Sequence, residues 1–520
     1  MHFIFRNRRT SPAIAGFLAV VFAVYGSASV ALAQTTSTQT TLAKIFTDHA
    51  VLQRDRPIPI WGTAKPGAEV MVRLGSLDAR TTASDKGIWR VDIPAQEASL
   101  NPLALRVTCE SDNLQRSDLL IGEVWHASGQ SNMDMTVAAV AKSAPEVRNE
   151  IPSYDFPAIR SVRIQDGPSR QSLDELGATP AWTPCAPETV TTFSATAFFF
   201  AKQLHQTLSV PIGIIHSARG GTPIEPFIPR SAFTDHPTLI RELELGDQDD
   251  LAGIWRLPGG VRARNDNWLP GRLFHSRINP IKKYPVRGLI WYQGESNCGV
   301  AEDPRDYQHK MRALVRGWRD ELSNPKLSVY FVQLPGSGAG PNWPYLREQQ
   351  RLATDLPNVG MAVTIDLQHP NIHPPNKVDV GDRLARWALA HDYRRKIAFS
   401  GPVFRVASID GPRVTVAFDH AESGLMIADK TGFAPVKETS DAKLNHFELA
   451  DSDGNWRAAD AVIYDDKIVV TSAHITKPVA VRYAYSVAPK NCNLFNRDNL
   501  PASPFCSLPE MLLCDPKLPE

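Results

Sequence analysis

Past residue 33 the sequence has no apolar run approaching the roughly 18 residues that a membrane-spanning helix needs. No membrane is therefore expected as a partner of the mature chain. Charge excess is also missing. The 56 Lys and Arg residues nearly cancel the 55 Asp and Glu, for a net charge of +1, and no block of like charge occurs. Nucleic acid and anionic membrane surfaces are thus not expected partners. Cysteine is sparse and scattered: Cys109, Cys185, Cys298, Cys492, Cys506 and Cys514 share no CxxC spacing, which argues against a metal cluster. There is no repeat of fixed period and no long apolar lid of the lipase kind. The 41 prolines sit in a chain that is 43% hydrophobic and 21% charged, so they read as punctuation in a loop-rich globular fold and not as disorder.

The first 33 residues read as a signal peptide. Arg6, Arg8 and Arg9 precede a mostly apolar stretch from Ala13 to Val30, and Ala31-Leu32-Ala33 offers a small-residue cleavage site before Gln34. The mature protein is expected to be exported, periplasmic or secreted. Its cysteines then lie where disulfides can form, with the pairing left open. Residues 34–42 read as a Ser/Thr/Gln-rich linker. Residues 43–116 carry short strand-like runs parted by turns such as Pro66-Gly67, and are expected to form a β-sandwich. A second β-sandwich with a proline-punctuated tail is expected over 399–520.

Between these flanks, over 117–398, strand-like runs alternate with helical faces such as Tyr307, Met311, Leu314, Trp318 and Leu322. The α/β alternation predicts a parallel sheet covered by helices on both faces. Each strand is followed by a polar segment: Gly129-Gln130-Ser131-Asn132 after Leu119–Ala127, then Ser217 to Thr222, then Gln293 to Asn297, then Asp366 with His369 and His373. Four such segments at one sheet edge bring together a nucleophile, backbone N–H donors, an amide and a histidine, the set that acyl transfer needs.

Segments Trp125–Met133, Pro211–Pro226, Gly288–Asn297 and Asn371–Arg383, with His49–Gln53 and Asn493–Phe505 at the flanks, closely resemble the sialate O-acetylesterase family, a branch of the SGNH hydrolases with a flavodoxin-like parallel sheet. The resemblance implies Ser131 as nucleophile and His373, in Ile372-His373-Pro374, as base. It implies an oxyanion hole of the Ser131 N–H, a backbone N–H of Gly220 or Gly221, and the Gln293 side chain, with no metal or organic cofactor. Three arrangements of the third member stay open: Asp366 orients His373, a backbone carbonyl does so, or His369 is the base with Asp366 beside it.

Two departures bear on the substrate. Arg219 stands where the family usually has an aromatic residue, and Leu273-Phe274-His275-Ser276-Arg277 stands for its Leu-Phe-Asn-Gly-Met. Arg219, Arg277, Glu295 and Asn297 are candidate substrate contacts, although Glu295 and Asn297 read first as loop braces. Trp268 and Trp343 are candidate stacking residues. The expected partner is an O-acetylated oligosaccharide or polysaccharide, with acetylated hemicellulose (xylan or xyloglucan) ranked ahead of O-acetylated sialic acid. The rival from another class is a non-catalytic glycan-binding protein on an esterase fold.

Overall fold

The structure is a computed structural model that describes residues 39–260, 266–299, 302–338, 340–439 and 442–514. The signal peptide expected over 1–33 lies outside the described residues. Of the expected linker only its end is described, and that end is already anchored. The Thr40 N–H donates to Asp112 Oδ2 at 2.8 Å and the Thr41 N–H to the Thr63 carbonyl at 2.7 Å.

The N-terminal region supplies β1 (Val51–Gln53), β2 (Ile58–Thr63), β3 (Glu69–Leu74), β4 (Leu77–Thr82), β5 (Ile88–Ile93) and β6 (Ser99–Cys109). β7 then runs for 18 residues from Asp112 to Gly129. Its two halves are written differently in the sequence. From Asp112 to Asp118 partly buried and exposed residues alternate, as on a strand with one wet face, whereas from Leu119 onward every residue is buried, as in a sheet covered on both sides. The first half pairs antiparallel with β6, and Leu120–Gly122 pairs parallel with β1. The second half is the middle of the central sheet. The domain boundary expected at 116/117 therefore falls inside one strand, and residues 39–520 form one compact unit.

The central sheet continues with β8 (Phe156–Arg163), β9 (Trp182–Cys185), β10 (Ile212–His216), β11 (Gly288–Tyr292), β12 (Ser328–Val332) and β13 (Val359–Ala362). Its order is β13-β12-β11-β7-β10-β8-β9, parallel throughout except for β9, so the sheet is mixed. Helices such as Ala195–Leu208, Tyr307–Glu321 and Lys377–His391 cover it. Beneath the seam Glu123 of β7, fully buried, takes Arg287 through Nε at 2.9 Å and Nη2 at 3.0 Å, and also receives Gln53 of β1 at 3.0 Å. One carboxylate thus ties both regions together. Beyond residue 399 the chain forms further antiparallel sheets, including Val403–Asp410 with Arg413–Asp419 and Leu425–Asp429 with Leu494–Asn496.

Among the described residues no two cysteines form a disulfide. Among the described residues no helix is long and apolar enough to cross a membrane, and no cluster of His, Cys, Asp or Glu is placed to hold a metal ion.

Candidate active site

β7, β10, β11 and β13 run parallel, so the segments that follow them emerge at one edge. β7 ends at Gly129, whose φ of +131° and close approach to β11 both demand glycine: a Cβ there would stand 2.2 Å from the Tyr292 carbonyl oxygen. The Gln130 N–H donates to that same carbonyl at 2.9 Å, and the Gln130 side chain accepts from the Ser296 N–H at 3.0 Å. The turn is thereby fixed. It delivers Ser131 with its Oγ 2.8 Å from Nε2 of His373.

His373 sits on the loop between β13 and the Lys377–His391 helix. Its own N–H donates to Asn371 Oδ1 at 3.0 Å, and the Asn371 N–H donates to His369 Nδ1 at 3.1 Å. His369 therefore shapes the loop, and the imidazole on Ser131 is that of His373. Asp366 does not orient it. Both Asp366 oxygens accept from Arg383 at 2.6 Å, in a bidentate pair whose carboxylate is almost wholly buried. Among the described residues the His373 ring has one hydrogen bond, to Ser131. Asp366→Asn is accordingly expected to lower the denaturation midpoint, since Arg383 loses a charged partner. It is expected to leave kcat within about tenfold, whereas an acid that holds a histidine tautomer costs about 10⁴ when so changed. A thermal melt and kcat on one acetate ester decide the matter, and a loss near 10⁴ would restore Asp366 to the triad.

Asn132 occupies the place beneath the pair. Its amide donates to the Ile372 carbonyl at 2.9 Å and to Glu295 Oε1, while its Oδ1 accepts from Lys377 Nζ. Lys377 is fully buried, with its ammonium 5.1 Å from the Tyr292 ring centroid. Burial pushes Lys377 down to about 7 against the opposing pull of Glu295, and burial pushes Glu295 up. Burial, and after it the Lys377 ammonium, hold His373 below the ordinary imidazole range. A histidine base works in its neutral form, which is lost as pH falls through its pKa. The acid limb of kcat/KM is therefore expected below the ordinary histidine value of 6.5. Lys377→Met removes the opposing charge and moves that limb upward; a limb that stays in place in a pH–rate profile would separate Lys377 from the base.

The loop after β10 faces Ser131 from the other side. Gly220 approaches so closely that a Cβ on it would lie 3.7 Å from the serine Cβ. The Gly220 main chain lies near the Asp134 carboxylate and helps to lower its pKa against the burial that raises it. Gly221 has a φ of +66° and is exposed. Among the described residues the N–H groups of Ser131 and Gly221 have no acceptor, so both are open to a ligand.

Other expected contacts turn out to be braces. Arg277 is buried, and its guanidinium donates to four carbonyls, those of Ser217 (3.0 Å), Ala218 (2.9 Å), Asp166 (2.7 Å) and Gln165 (3.2 Å), which rigidify the loop and commit all but one of its N–H groups. Gln293 is fully buried, and its amide donates to Asn297 Oδ1 at 2.7 Å and Gln130 Oε1 at 3.1 Å, so it is no oxyanion donor. Asn297 is likewise closed off, accepting from the Ile224 N–H at 3.0 Å and donating to Glu225. Glu295 is enclosed with Asn132 and does not reach a substrate. Trp343 is buried, its indole N–H on the Pro335 carbonyl at 2.7 Å. Arg219 and Trp268 stay partly exposed, and among the described residues no carboxylate pairs with the Arg219 guanidinium.

Sequence reading missed the buried triad of Glu225, Lys310 and Glu242. Lys310 Nζ donates to Glu225, to Glu242 at 2.8 Å and to the Gly259 carbonyl at 2.7 Å. The only trace in the sequence is a lysine on the apolar face of the Tyr307–Glu321 helix. The role of Asn132 was nearer the surface of the text, since it follows the serine directly.

Residues 122–390 match a family model described as carbohydrate esterase, sialic acid-specific acetylesterase. The chain is 27% identical to the sialate O-acetylesterases of Rattus norvegicus (529 residues; 89% of this chain, 93% of that one) and Homo sapiens (516 residues; 89% and 91%). Its fold matches the crystal structure of a carbohydrate acetylesterase from Xanthomonas citri with a TM-score of 0.78 and 34% identity, over 90% of this chain and 99% of that one. With its serine and histidine in contact at the edge where that family's motifs fall, the chain belongs to the sialic acid-specific acetylesterase family of carbohydrate esterases and is a carbohydrate O-acetylesterase.

Proposed function

We propose that the protein is an exported SGNH-type serine esterase that removes O-acetyl groups from neutral plant polysaccharide such as xylan or xyloglucan. The observation that carries the mechanism is the 2.8 Å contact of His373 Nε2 with Ser131 Oγ. His373 accepts the serine proton as Oγ adds to the acetyl carbonyl, and the tetrahedral oxyanion is met by the N–H groups of Ser131 and Gly221. The imidazolium then returns its proton to the departing sugar oxygen, leaving an acetyl-serine. Water, deprotonated by the same imidazole, repeats the addition and releases acetate. Carbonyls and braces such as Arg277 hold the donors in advance, so little reorganisation is needed as charge develops.

The sugar ranking is supported by what remains at the rim. A sialate carboxylate calls for fixed cations, and of the two expected arginines Arg277 is spent on main-chain carbonyls. Arg219 stands alone. The N-terminal pattern of Arg6, Arg8 and Arg9, an apolar stretch and Ala31-Leu32-Ala33 supports export. Acetate release by residues 34–520 from O-acetylated xylan and xyloglucan oligosaccharides and from O-acetylated sialic acid, measured side by side, tests the reading. Faster release from the hemicelluloses is expected. A higher kcat/KM on sialate would overturn the ranking and make Arg219 the carboxylate contact.

A further inference from the structure

The far side of the base loop borders a second cavity, of about 380 Å³, between residues 365–376 and the C-terminal β region. That volume lies within the roughly 300–1,000 Å³ of ordinary ligand pockets. His369 and Pro375, which bracket His373 on its loop, form one wall, and Thr431, Phe433 and Asn491 contribute to the other. The walls are tied together. Asn376 donates to the Gly432 carbonyl at 2.9 Å, and Lys430, its side chain almost wholly buried, pairs with Asp379 at 2.7 Å.

The chemistry of the lining is selective. Lys430 is neutralised by Asp379 and Asp366 by Arg383, so the buried charges around the cavity are internally matched, while the remaining charge on the lining, Asp429, is exposed to solvent and disfavours an anionic ligand. Gln368, Thr431 and Asn491 have side chains without a hydrogen-bond partner among the described residues, and the His369 ring uses only Nδ1. Phe433 packs partly on the core and keeps part of its ring open. Amide, hydroxyl and imidazole groups around an aromatic face suit a hydroxylated, uncharged ring.

We propose that this cavity is a subsite for neutral glycosyl residues of the same chain whose acetylated residue sits at Ser131, with Phe433 as its platform and Gln368 as a hydrogen-bonding wall. A polysaccharide crossing the His369–Pro375 loop occupies both places, and the C-terminal β region thereby takes part in substrate selection. The proposal rests on catalysis at Ser131 as read above.

The test uses the full mature chain and its Phe433→Ala and Gln368→Ala variants. Titration calorimetry with unacetylated xylotetraose reads the subsite without any reaction. Kinetics then compare acetylated xylotetraose with 4-nitrophenyl acetate, which has no glycan to reach the cavity. Each variant is expected to weaken tetraose binding about tenfold, and to lower the ratio of kcat/KM on the oligosaccharide to that on the aryl ester about tenfold, through KM. Wild-type binding in both variants, an equal loss on both esters, or tighter binding of an oligogalacturonate than of xylotetraose would overturn the proposal. A wild-type protein that binds tetraose through Phe433 yet frees no acetate from any glycan would support the subsite and sink the catalytic reading, so the two failures are distinct.

Discussion

Ser131→Ala is expected to lower kcat for acetyl release by about 10⁴–10⁶, with His373→Ala close behind and the double variant scarcely worse than either. The size follows from the geometry. Oγ is the atom that forms the bond, and its 2.8 Å contact with Nε2 is the one ring hydrogen bond of His373, so neither group can act without the other. Non-additivity is the sharper part of the result. Two residues that lose their effects independently would multiply their losses, whereas members of one proton-transfer unit lose nearly all at the first removal. Acetate release by single and double variants, with a melting curve to show each is folded, decides it. A Ser131→Ala protein within tenfold of wild type would end the acyl-enzyme reading at Ser131.

Lys310→Met is expected to cost about 3–5 kcal/mol of stability, read as a fall in the urea midpoint. Lys310 is fully buried between Glu225 and Glu242, and the attraction of those two carboxylates outweighs the burial that would otherwise discharge it. Removing Lys310 takes away the cation that these two buried carboxylates share. The damage reaches the chemistry, because Glu225 accepts from Asn297, which in turn holds the Ile224 N–H and Gln293 behind the oxyanion loop. A lower kcat well below the unfolding range should accompany the lost stability. Adding Glu225→Gln and Glu242→Gln removes the carboxylate charges and should return much of the midpoint. No recovery in the triple variant would mean that shape, not charge, was lost.

The serine and histidine were legible because both stand in short local patterns beside a strand end, where the topology alone brings them to one edge. The partners of Asp366, Gln293 and Arg277 were not. Asp366 is nearest His373 along the chain, but its carboxylate meets Arg383, which comes from the following helix and is invisible to spacing arguments. Gln293 carries the right functional group for an oxyanion donor. Whether its two N–H bonds are free depends on Asn297 and Gln130 closing around it, a matter of packing. Arg277 reads as a recognition residue in any rim loop until four carbonyls are seen converging on it. The α/β core was readable from the apolar run Leu119–Ala127, but the same strand reaches back to Asp112, where its alternating half looks like part of a separate hairpin. The boundary was misplaced for that reason.

The distance between nucleophile and base also has a temporal meaning. His373 follows Ser131 by 242 residues, and β7 must wait for β11 to become an inner strand. At about 5–20 residues per second, a ribosome exposes the serine roughly 10–50 s before the histidine. Through that interval the nascent polypeptide holds a hydroxyl without the imidazole that pairs with it, and a product truncated before His373 never acquires one. Emergence of the segment that carries His373 is thus the event on which an esterase built on this pair depends.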